Sequence, residues 1–344
     1  GAPGVVLELT DGTDGSLPDV VDTDLGPTLD VDGVDGALDV LTDTGPSDGG
    51  LPDVLPIDSG PVDPCTDGAV ASTVYAIAKG EVADAAKVSL KQVVAVSHKL
   101  LINHSTTSGS CLWGIFISAA TADGASAPLS VTAPYSGLLV VAFGDPTVGD
   151  TPCQLGTDVI PDAIAPGDEL SLYGSVATFL LTQCASQPGG TDQGIRQITG
   201  TCGLTLSGLK RPVPTPAVLG DEAALLGTSA GALAQGVHER WRSVRVAVDN
   251  VAADTSAGSV VGKFGTITLS SGVTVVDKLY YRKDAPDLCG AAPVFSAASQ
   301  TFSRVVGFHY LDFCTWALAP AEKCGAFTPQ SEDCAAASVA TCPL

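Results

Sequence analysis

Histidines and paired carboxylates are the residues of this chain whose types are suited to catalysis. The four histidines are far apart in the sequence: His98, His104, His238 and His309. Asp168 and Glu169 follow a Pro-Gly turn, where carboxylates are common in any protein. Gly189 and Gly190 are not followed by the Lys-Ser/Thr pair of a phosphate-binding loop. We therefore expect no catalytic residue and a protein that is not an enzyme.

Carboxylates are densest near the N-terminus, where calcium is the one cofactor that the sequence suggests. Asp30, Asp32 and Asp35 lie close together, as the ligands of a calcium loop do. Their spacing departs from the Asp-x-Asp-x-Asp-Gly loop that carries a glutamate at its twelfth position. The interpretation is a weak calcium site at most, with no confident metal site elsewhere.

The cysteines predict disulfide bonds. There are ten of them: Cys65, Cys111, Cys153, Cys184, Cys202, Cys289, Cys314, Cys324, Cys334 and Cys342. The even number and the absence of Cys-x-x-Cys pairs favour disulfides over zinc. Spacing does not fix the pairing, but we expect Cys184 to bond Cys202, Cys289 to bond Cys314, and one bond to form within 324–342. The compartment is then oxidising, extracellular or at the cell surface, and the lack of methionine suggests a processed chain without its signal peptide.

The first 64 residues combine a short apolar strand with a long acidic arm. Val5, Leu7 and Leu9 alternate with Val6, Glu8 and Thr10, which is the period of a half-buried β-strand. Residues 11–64 contain no lysine or arginine, and residues 1–64 hold fourteen aspartates and one glutamate. This composition is typical of a disordered spacer. The alternative is an arm held along a neighbouring copy of the protein, with the strand pairing on that copy.

Beyond residue 64 the composition predicts an all-β protein. Valine, threonine and glycine are plentiful, and short apolar runs alternate with Gly/Pro turns. The predicted strands of the first part are 73–78, 87–96, 111–117, 136–143, 164–176, 196–199 and 204–206. Those of the second part are 243–248, 262–269, 273–276, 279–281, 303–310 and 316–320. Strands of this length and spacing predict sandwiches or small barrels.

The second part resembles the OB-fold-like domains repeated in bacterial secreted and lipid-anchored surface proteins, which are sometimes attached to extracellular nucleases. The motifs are Trp-x-x-Val-x-Val-x-Val-x-Asn-Val at 241–251, Gly-x-Phe-x-Thr at 262–266, Val-Asp-x-Leu-Tyr at 276–280, and the strands at 302–310 and 316–320. The first part is similar to another variant of that family at 88–94, 136–140 and 166–176. The family's terminal Pro-Arg-x-x-x-Asp is absent, since Ala321 follows Pro320.

The resemblance implies two OB-like β-barrel or sandwich domains in tandem, preceded by an extended acidic arm. We divide the chain into the strand and arm (1–64), a first OB-like domain (65–216), a linker with a short helix starting at Asp221 (217–236), a second OB-like domain (237–320) and a Cys-rich tail (321–344). OB-folds often bind oligonucleotides or sugars, but a fold alone does not assign a function.

Charge limits the possible partners. The net charge of −22 disfavours nucleic acid and anionic lipid, and no apolar stretch is long enough to span a membrane. Residues 236–283 are by contrast net basic and are a candidate docking surface for the acidic arm. The candidate docking bases are Arg240, Arg242, Arg245, Lys278, Arg282 and Lys283. Trp113, Trp241 and Trp316 lie in apolar runs and are expected to pack in the core.

The sequence leaves two functions open. The first is a non-enzymatic structural protein that assembles with itself into a filament or surface layer, by donating the strand at Val5–Thr10 and the arm to a neighbour. The second is a lipid-anchored surface protein whose OB-like domains bind a glycan or a protein, with the arm acting only as a spacer.

Overall fold

A computed structural model describes the folded body of the chain. The described residues are 65–105, 107–149, 151–180, 194–223, 232–256, 259–262, 265–280, 293–295, 299–312, 314–332 and 334. The body belongs to one compact unit, residues 61–344. Residues 1–60 lie outside the described residues, and with them the predicted strand and the weak calcium site.

The first sheet contains seven strands and a short helix. In chain order these are β1 (Val70–Ala71), α1 (Val74–Ala78), β2 (Lys87–Ala95), β3 (Leu100–His104), β4 (Cys111–Ser118), β5 (Gly137–Gly144), β6 (Asp168–Phe179) and β7 (Ile195–Lys210). The order across the sheet is β1-β2-β6-β7-β5-β4-β3, and β2 also pairs with β4. Five strands therefore form a closed ring, β2-β4-β5-β7-β6, in which only the β5–β7 pairing is parallel.

The second sheet repeats this arrangement. Its elements are β8 (Ala217–Val218), α2 (Ala232–Trp241), β9 (Arg245–Ala252), β10 (Ile267–Thr268), β11 (Thr274–Val275), β12 (Thr301–Asp312), β13 (Thr315–Ala319) and β14 (Phe327–Thr328). The order is β10-β11-β13-β12-β9-β8, with β14 on β12. A bridge between Ala253 and Leu269 joins the end of β9 to the end of β10, so this ring also closes. Its single parallel ring pairing, β11–β13, corresponds to β5–β7.

The start of each ring shows the repeat in detail. In the first ring β1 runs parallel to β2, and Ala71 lies opposite Ser89. In the second ring β8 runs parallel to β9, and Val218 lies opposite Ala247. A helix separates the two paired strands in both rings. Three residues beyond these positions each ring strand has a residue with positive φ, Gln92 at 55° and Asn250 at 54°. The two halves of the body thus share one topology.

Three apolar cores follow from the alternation of side chains along the strands. Trp113, Ile115 and Ile117 point into the first ring, while Phe302 and Val305 point into the second. A third core lies between the rings, where Phe116 of β4 stacks on Phe308 of β12 with ring centroids 3.9 Å apart. The central strands are therefore buried on both faces.

Backbone contacts bring the two rings close together. A Cβ atom on Gly137 would lie 2.4 Å from the carbonyl oxygen of Ser243, so only glycine fits there. The Thr132 hydroxyl donates to the carbonyl of Arg245 at 2.7 Å and accepts from the amide of Ala217 at 2.8 Å. The two sheets belong to one compact unit and share a core.

The sequence predicted an all-β class, and the described part of the chain is mostly β with two short helices. The predicted strand at 73–78 is wrong, because Val74–Ala78 forms α1. Thr73 caps this helix by accepting from the amide of Ala76 at 3.0 Å. The β-branched residues in this stretch are typical of strands, so the capping residue was not recognised in the sequence. Val74, Tyr75 and Ile77 are buried in the helical conformation.

Other sequence boundaries shift in the structure. Leu279 and Tyr280 were expected in a strand but form a turn, in which the amide of Tyr280 donates to the carbonyl of Asp277 at 3.1 Å. The predicted strands at 196–199 and 204–206 are one long strand, β7. The second sheet begins at β8, inside the predicted linker, and extends to β14, inside the predicted tail. Most of the predicted helix from Asp221 lies outside the described residues.

The described disulfides are Cys65–Cys202, Cys111–Cys153 and Cys324–Cys334. The predicted Cys184–Cys202 bond is wrong, because Cys202 pairs with Cys65, 137 residues away in sequence. The bond expected within 324–342 is present. Cys314 is also disulfide-bonded, and Cys184, Cys289 and Cys342 lie outside the described residues. These bonds indicate an oxidising setting.

The core between the rings yields a first prediction. We expect Phe308→Ala to lower the free energy of unfolding by about 3–5 kcal/mol, because it removes a buried ring and leaves a cavity. Phe308 is 2% exposed, whereas Phe143 on β5 is 66% exposed. Phe143→Ala is the matched control and should change stability by less than about 0.5 kcal/mol. Urea unfolding of both variants measures the difference, and equal losses would contradict the shared core.

Candidate functional site

An open groove of about 540 Å³ lies on the first ring. It is bounded by the start of α1, by the loop at 119–130 and by the connector at 211–214, and its floor is the middle of β2. Its volume is within the range of small-molecule pockets, about 300–1,000 Å³. Its exposed lining is mostly apolar with several polar side chains, which suits an extended peptide as well as a small ligand.

The floor of the groove is a stretch of strand edge without a partner strand. On one side β2 pairs with β6 along most of its length. On the other side β1 pairs only with Val88 and Ser89, and β4 pairs only with Val94 and Ala95. Among the described residues no strand pairs with 90–93 on this side. The partner strands leave β2 at the two ends of this gap, β1 into α1 and β4 into the loop that follows it, and this divergence opens the groove.

A bulge shapes this open edge. The pairing of β2 with β6 shifts register between Leu90 and Val93, and Gln92 within the bulge has a φ of 55°. Leu90 and Val93 are buried, while Lys91 and Gln92 are exposed. Bulges commonly re-aim side chains beside functional sites. Here the bulge turns one cationic side chain and one amide toward solvent at the groove.

Ion pairs hold the rim of the groove. Lys79 of the helix end contacts Asp123 of the loop at 2.6 Å, and Arg211 of the connector pairs with buried Glu169. Burial raises the pKa of Tyr75, and the nearby Asp123 carboxylate adds to this shift. The Tyr75 hydroxyl donates to the carbonyl of Thr121 at 3.4 Å. Asp168 contacts Lys210 at 2.6 Å, and Glu169 pairs with Arg211. Both carboxylates of the Asp168–Glu169 pair are therefore part of the scaffold.

The opposite side of the first ring is closed. The outward side chains of β4 and β5, among them Phe116, Leu139 and Val141, form the core between the rings. These residues are at most 1% exposed. No ligand reaches this face while the second ring covers it.

A buried histidine pair lies at the same interface. Nδ1 of His238 in α2 is 2.9 Å from Nε2 of His309 in β12, and both rings stack with Trp316. His309 is fully buried, and this burial lowers its pKa well below the ordinary value, with a further contribution from His238. The pair is 71 residues apart in sequence, so no spacing rule could have found it.

The predicted docking bases have different environments. Arg242 is 9% exposed and donates to the carbonyls of Gly194 and Ala78, so it joins the two rings and is not a docking residue. Arg240 pairs with Glu222 at 2.7 Å, and burial lowers the pKa of Arg245. Lys278 is half-buried and has its own interactions, and Arg282 and Lys283 lie outside the described residues.

Metal ligands are scarce in the described part of the chain. The one group there with metal-binding spacing is His104, Cys111 and Cys153. Both sulfurs are joined in a disulfide, so neither is a thiolate, the form that binds a metal. The three tryptophans are at most 7% exposed, which confirms the prediction that they pack in the core. None of the described helices is long and apolar enough to cross a membrane.

Residues 227–231 read Gly-Thr-Ser-Ala-Gly, a Gly-x-Ser-x-Gly pattern that in some hydrolases carries the nucleophilic serine. These residues lie outside the described part of the chain. A nucleophilic role for the serine of this pattern is a hypothesis. It requires that the serine lie on a tight turn between a strand and a helix.

Comparison with known proteins identifies no relative: no family model, no curated protein and no solved structure matches the chain. The topology and the site geometry are therefore the basis for a functional proposal.

The histidine pair yields a second prediction, on pH. The unfolded chain takes up a proton on His309 near pH 6.5, and the buried ring excludes it, so stability is lost as pH falls below 6.5. Asp277 acts in the opposite direction, because burial raises its pKa to about 6 and the folded state binds that proton first.

We expect His309→Gln to weaken the acid dependence of the free energy of unfolding between pH 7 and pH 5. Asp277→Asn is the matched variant of opposite sign and should steepen the loss on acidification, because it removes the stabilising protonation. Urea unfolding across this range measures both slopes. An unchanged slope in His309→Gln would contradict the burial of a neutral ring.

Proposed function

We propose that this protein is a non-enzymatic extracellular structural protein that assembles with itself into a filament or surface layer. Each copy donates its strand at Val5–Thr10, with the acidic arm, to a neighbouring copy. The observation that carries the proposal is the gap at 90–93 on the floor of the groove, where none of the described strands pairs with β2 on one side. A strand edge with free amides and carbonyls is the template that strand addition uses.

The donor strand has the pattern that such a groove requires. Val5, Leu7 and Leu9 form one apolar face, and burying each would contribute about 2 kcal/mol in addition to the ladder hydrogen bonds. The donor and acceptor surfaces differ, so the contact is heterologous and propagates from copy to copy unless it closes into a ring. Glu8 lies on the face opposite to this apolar row, and Lys91 is an exposed cation at the acceptor edge.

The OB-like assignment belongs to the same proposal. Each ring has five strands with one parallel pairing, the connectivity expected of an OB-fold barrel. OB-folds bind oligonucleotides and sugars on the face of their second and third strands. In the first ring these strands are β4 and β5, whose outward side chains pack against the second ring. The usual ligand face is thus used for packing, which favours a structural role over ligand binding.

The second candidate function is a lipid-anchored surface protein that binds a glycan or a protein, with the arm as a spacer. The volume of the groove favours it, since about 540 Å³ is enough for a small ligand. Under this function the intact chain stays monomeric and the groove binds a ligand other than the N-terminal strand. Size-exclusion chromatography of the intact chain separates the two functions.

Assembly is the third prediction. Removing residues 1–10, or introducing Leu7→Asp, should abolish polymers in negative-stain electron microscopy, because the apolar face of the donor strand is lost. Val6→Asp is the matched control, with the same charge on the opposite face, and should keep assembly. Polymers formed by the chain without residues 1–10 would contradict the proposal.

The acceptor site is tested by blocking the groove. Ser130 lines it and is exposed, so Ser130→Trp should fill the groove and stop assembly. Ala127→Trp is the matched control, in the same loop but outside the lining. A copy lacking residues 1–10 keeps its acceptor and a Ser130→Trp copy keeps its donor. A mixture of the two should give dimers without polymers, and monomers alone in that mixture would place the acceptor elsewhere.

The non-enzymatic part of the proposal has its own test. A fluorophosphonate probe, which phosphonylates activated serines with loss of fluoride, should leave the folded chain unlabelled. Labelling that disappears in Ser229→Ala would identify the serine of the Gly-x-Ser-x-Gly pattern as a nucleophile and contradict this part of the proposal.

A further inference from the structure

A buried lysine meets two carboxylates at one end of the first ring. Nζ of Lys99, just before β3, is 2.6 Å from Oδ2 of Asp158 and 2.6 Å from Oδ1 of Asp162. The same nitrogen donates to the carbonyl of Ile160 at 2.9 Å. The side chains of Lys99 and Asp158 are fully buried, whereas that of Asp162 is 35% exposed.

The contact between Lys99 and Asp158 is close but is not a hydrogen bond. Oδ2 of Asp158 is buried and has no hydrogen-bond partner, although Nζ lies 2.6 Å away. Since a carboxyl C–O bond measures about 1.2 Å, Cγ of Asp158 lies within about 3.8 Å of Nζ. This is close to the separation of about 3–3.5 Å from which reacting atoms combine.

The other carboxyl oxygen is held as an acyl-transfer reaction requires. Oδ1 of Asp158 accepts from the backbone amide of Ile160 at 2.8 Å. A fixed amide donor stabilises the negative charge that develops on such an oxygen during attack on the carbon. Ile160 therefore holds both partners, the lysine by its carbonyl and the aspartate by its amide.

We propose that Lys99 and Asp158 form an intramolecular amide (isopeptide) bond, with Asp162 as the proton carrier. In the first step a proton passes from Nζ to the carboxyl group of Asp158, which gives an amine and a carboxylic acid in a site that excludes bulk water. Nζ attacks Cγ of Asp158, and a C–N bond forms. Asp162 accepts a proton from the nitrogen and delivers it to Oδ2. The C–Oδ2 bond then breaks and the oxygen leaves as water, so amine plus acid gives amide plus water with no oxidant or reductant.

The surroundings favour the product. Nζ of Lys99 lies 4.9 Å from the centre of the buried Trp113 ring, which closes one side of the pair to solvent. Bulk water, which would reverse the condensation, is excluded from the fully buried pair. The partial exposure of Asp162 gives the released water a way out. This modification is independent of strand donation.

The mass of the purified full-length chain tests the proposal. After reduction and denaturation, the intact mass should be lower than that of the sequence by one water, about 18 Da. Trypsin provides a second readout, because it cleaves after a free lysine but not after an amidated one. No lysine or arginine lies between Lys99 and Arg196, so the cross-link keeps residues 92–196 in one peptide.

The chain contains its own control in Lys79 and Asp123, which are also 2.6 Å apart but 34% and 52% exposed. Trypsin should cleave after Lys79 normally. Lys99→Arg and Asp158→Ala should each have the full sequence mass, and Asp162→Ala should have most or all of its chains without the bond. A wild-type chain of full mass that is cut after Lys99 overturns the proposal. Water loss that persists in Asp158→Ala overturns the assignment of the bond.

Discussion

The packing of one five-stranded ring against the other is the constraint on which the rest of the body depends. The Phe116–Phe308 stack lies at its centre, and the strands that carry these residues are buried on both faces. A strand with two buried faces has only its edges and ends left for function. Most of these edges are closed by ring formation, since closure removes free edges. Among the described residues, the stretch of β2 at 90–93 is one part of a ring edge that stays open, and for this reason the groove is our candidate binding site.

The buried polar residues lie where the ring architecture needs a fixed connection. Arg242 donates to backbone carbonyls of Ala78 and Gly194, and so ties the end of α2 to the first ring. His309 meets His238 at the same boundary, and Lys99 fixes the loop at 158–162 on the end of the first ring. Burying such groups costs free energy unless their geometry is well matched. Their common property is that each joins segments that are distant in sequence. A polar contact fixes the direction in which these segments meet, whereas an apolar contact does not.

The sequence predicts local features of this fold well and long-range ones poorly. Short apolar runs bounded by turn residues located β2, β4 and β5 within about one residue, because such runs are visible in the sequence without knowledge of their neighbours. The helix α1 was missed, since five residues are too few to show a helical period. The partner of Cys202 was also missed, because pairing depends on which strands become neighbours, and Cys65 is 137 residues away. The groove and the contact of Lys99 with Asp158 were not predictable for the same reason, since both depend on which segments become neighbours in the fold.

The internal repeat offers a reason why, in the proposed assembly, the first ring and not the second accepts the acidic strand. The positive φ of Gln92 corresponds to that of Asn250, so Lys91 of the first ring corresponds to Asp249 of the second. Asp249 is paired with Arg304 at 2.7 Å, and this pairing lowers its pKa and keeps it charged. Asp249 and Arg304 neutralise each other, so the second ring carries no net charge at this position, whereas the exposed Lys91 attracts an arm with a charge of −15. Two rings of one topology therefore differ in charge at this edge, and in the proposed assembly this difference selects one acceptor per copy. One acceptor and one donor per copy is the condition for an unbranched filament.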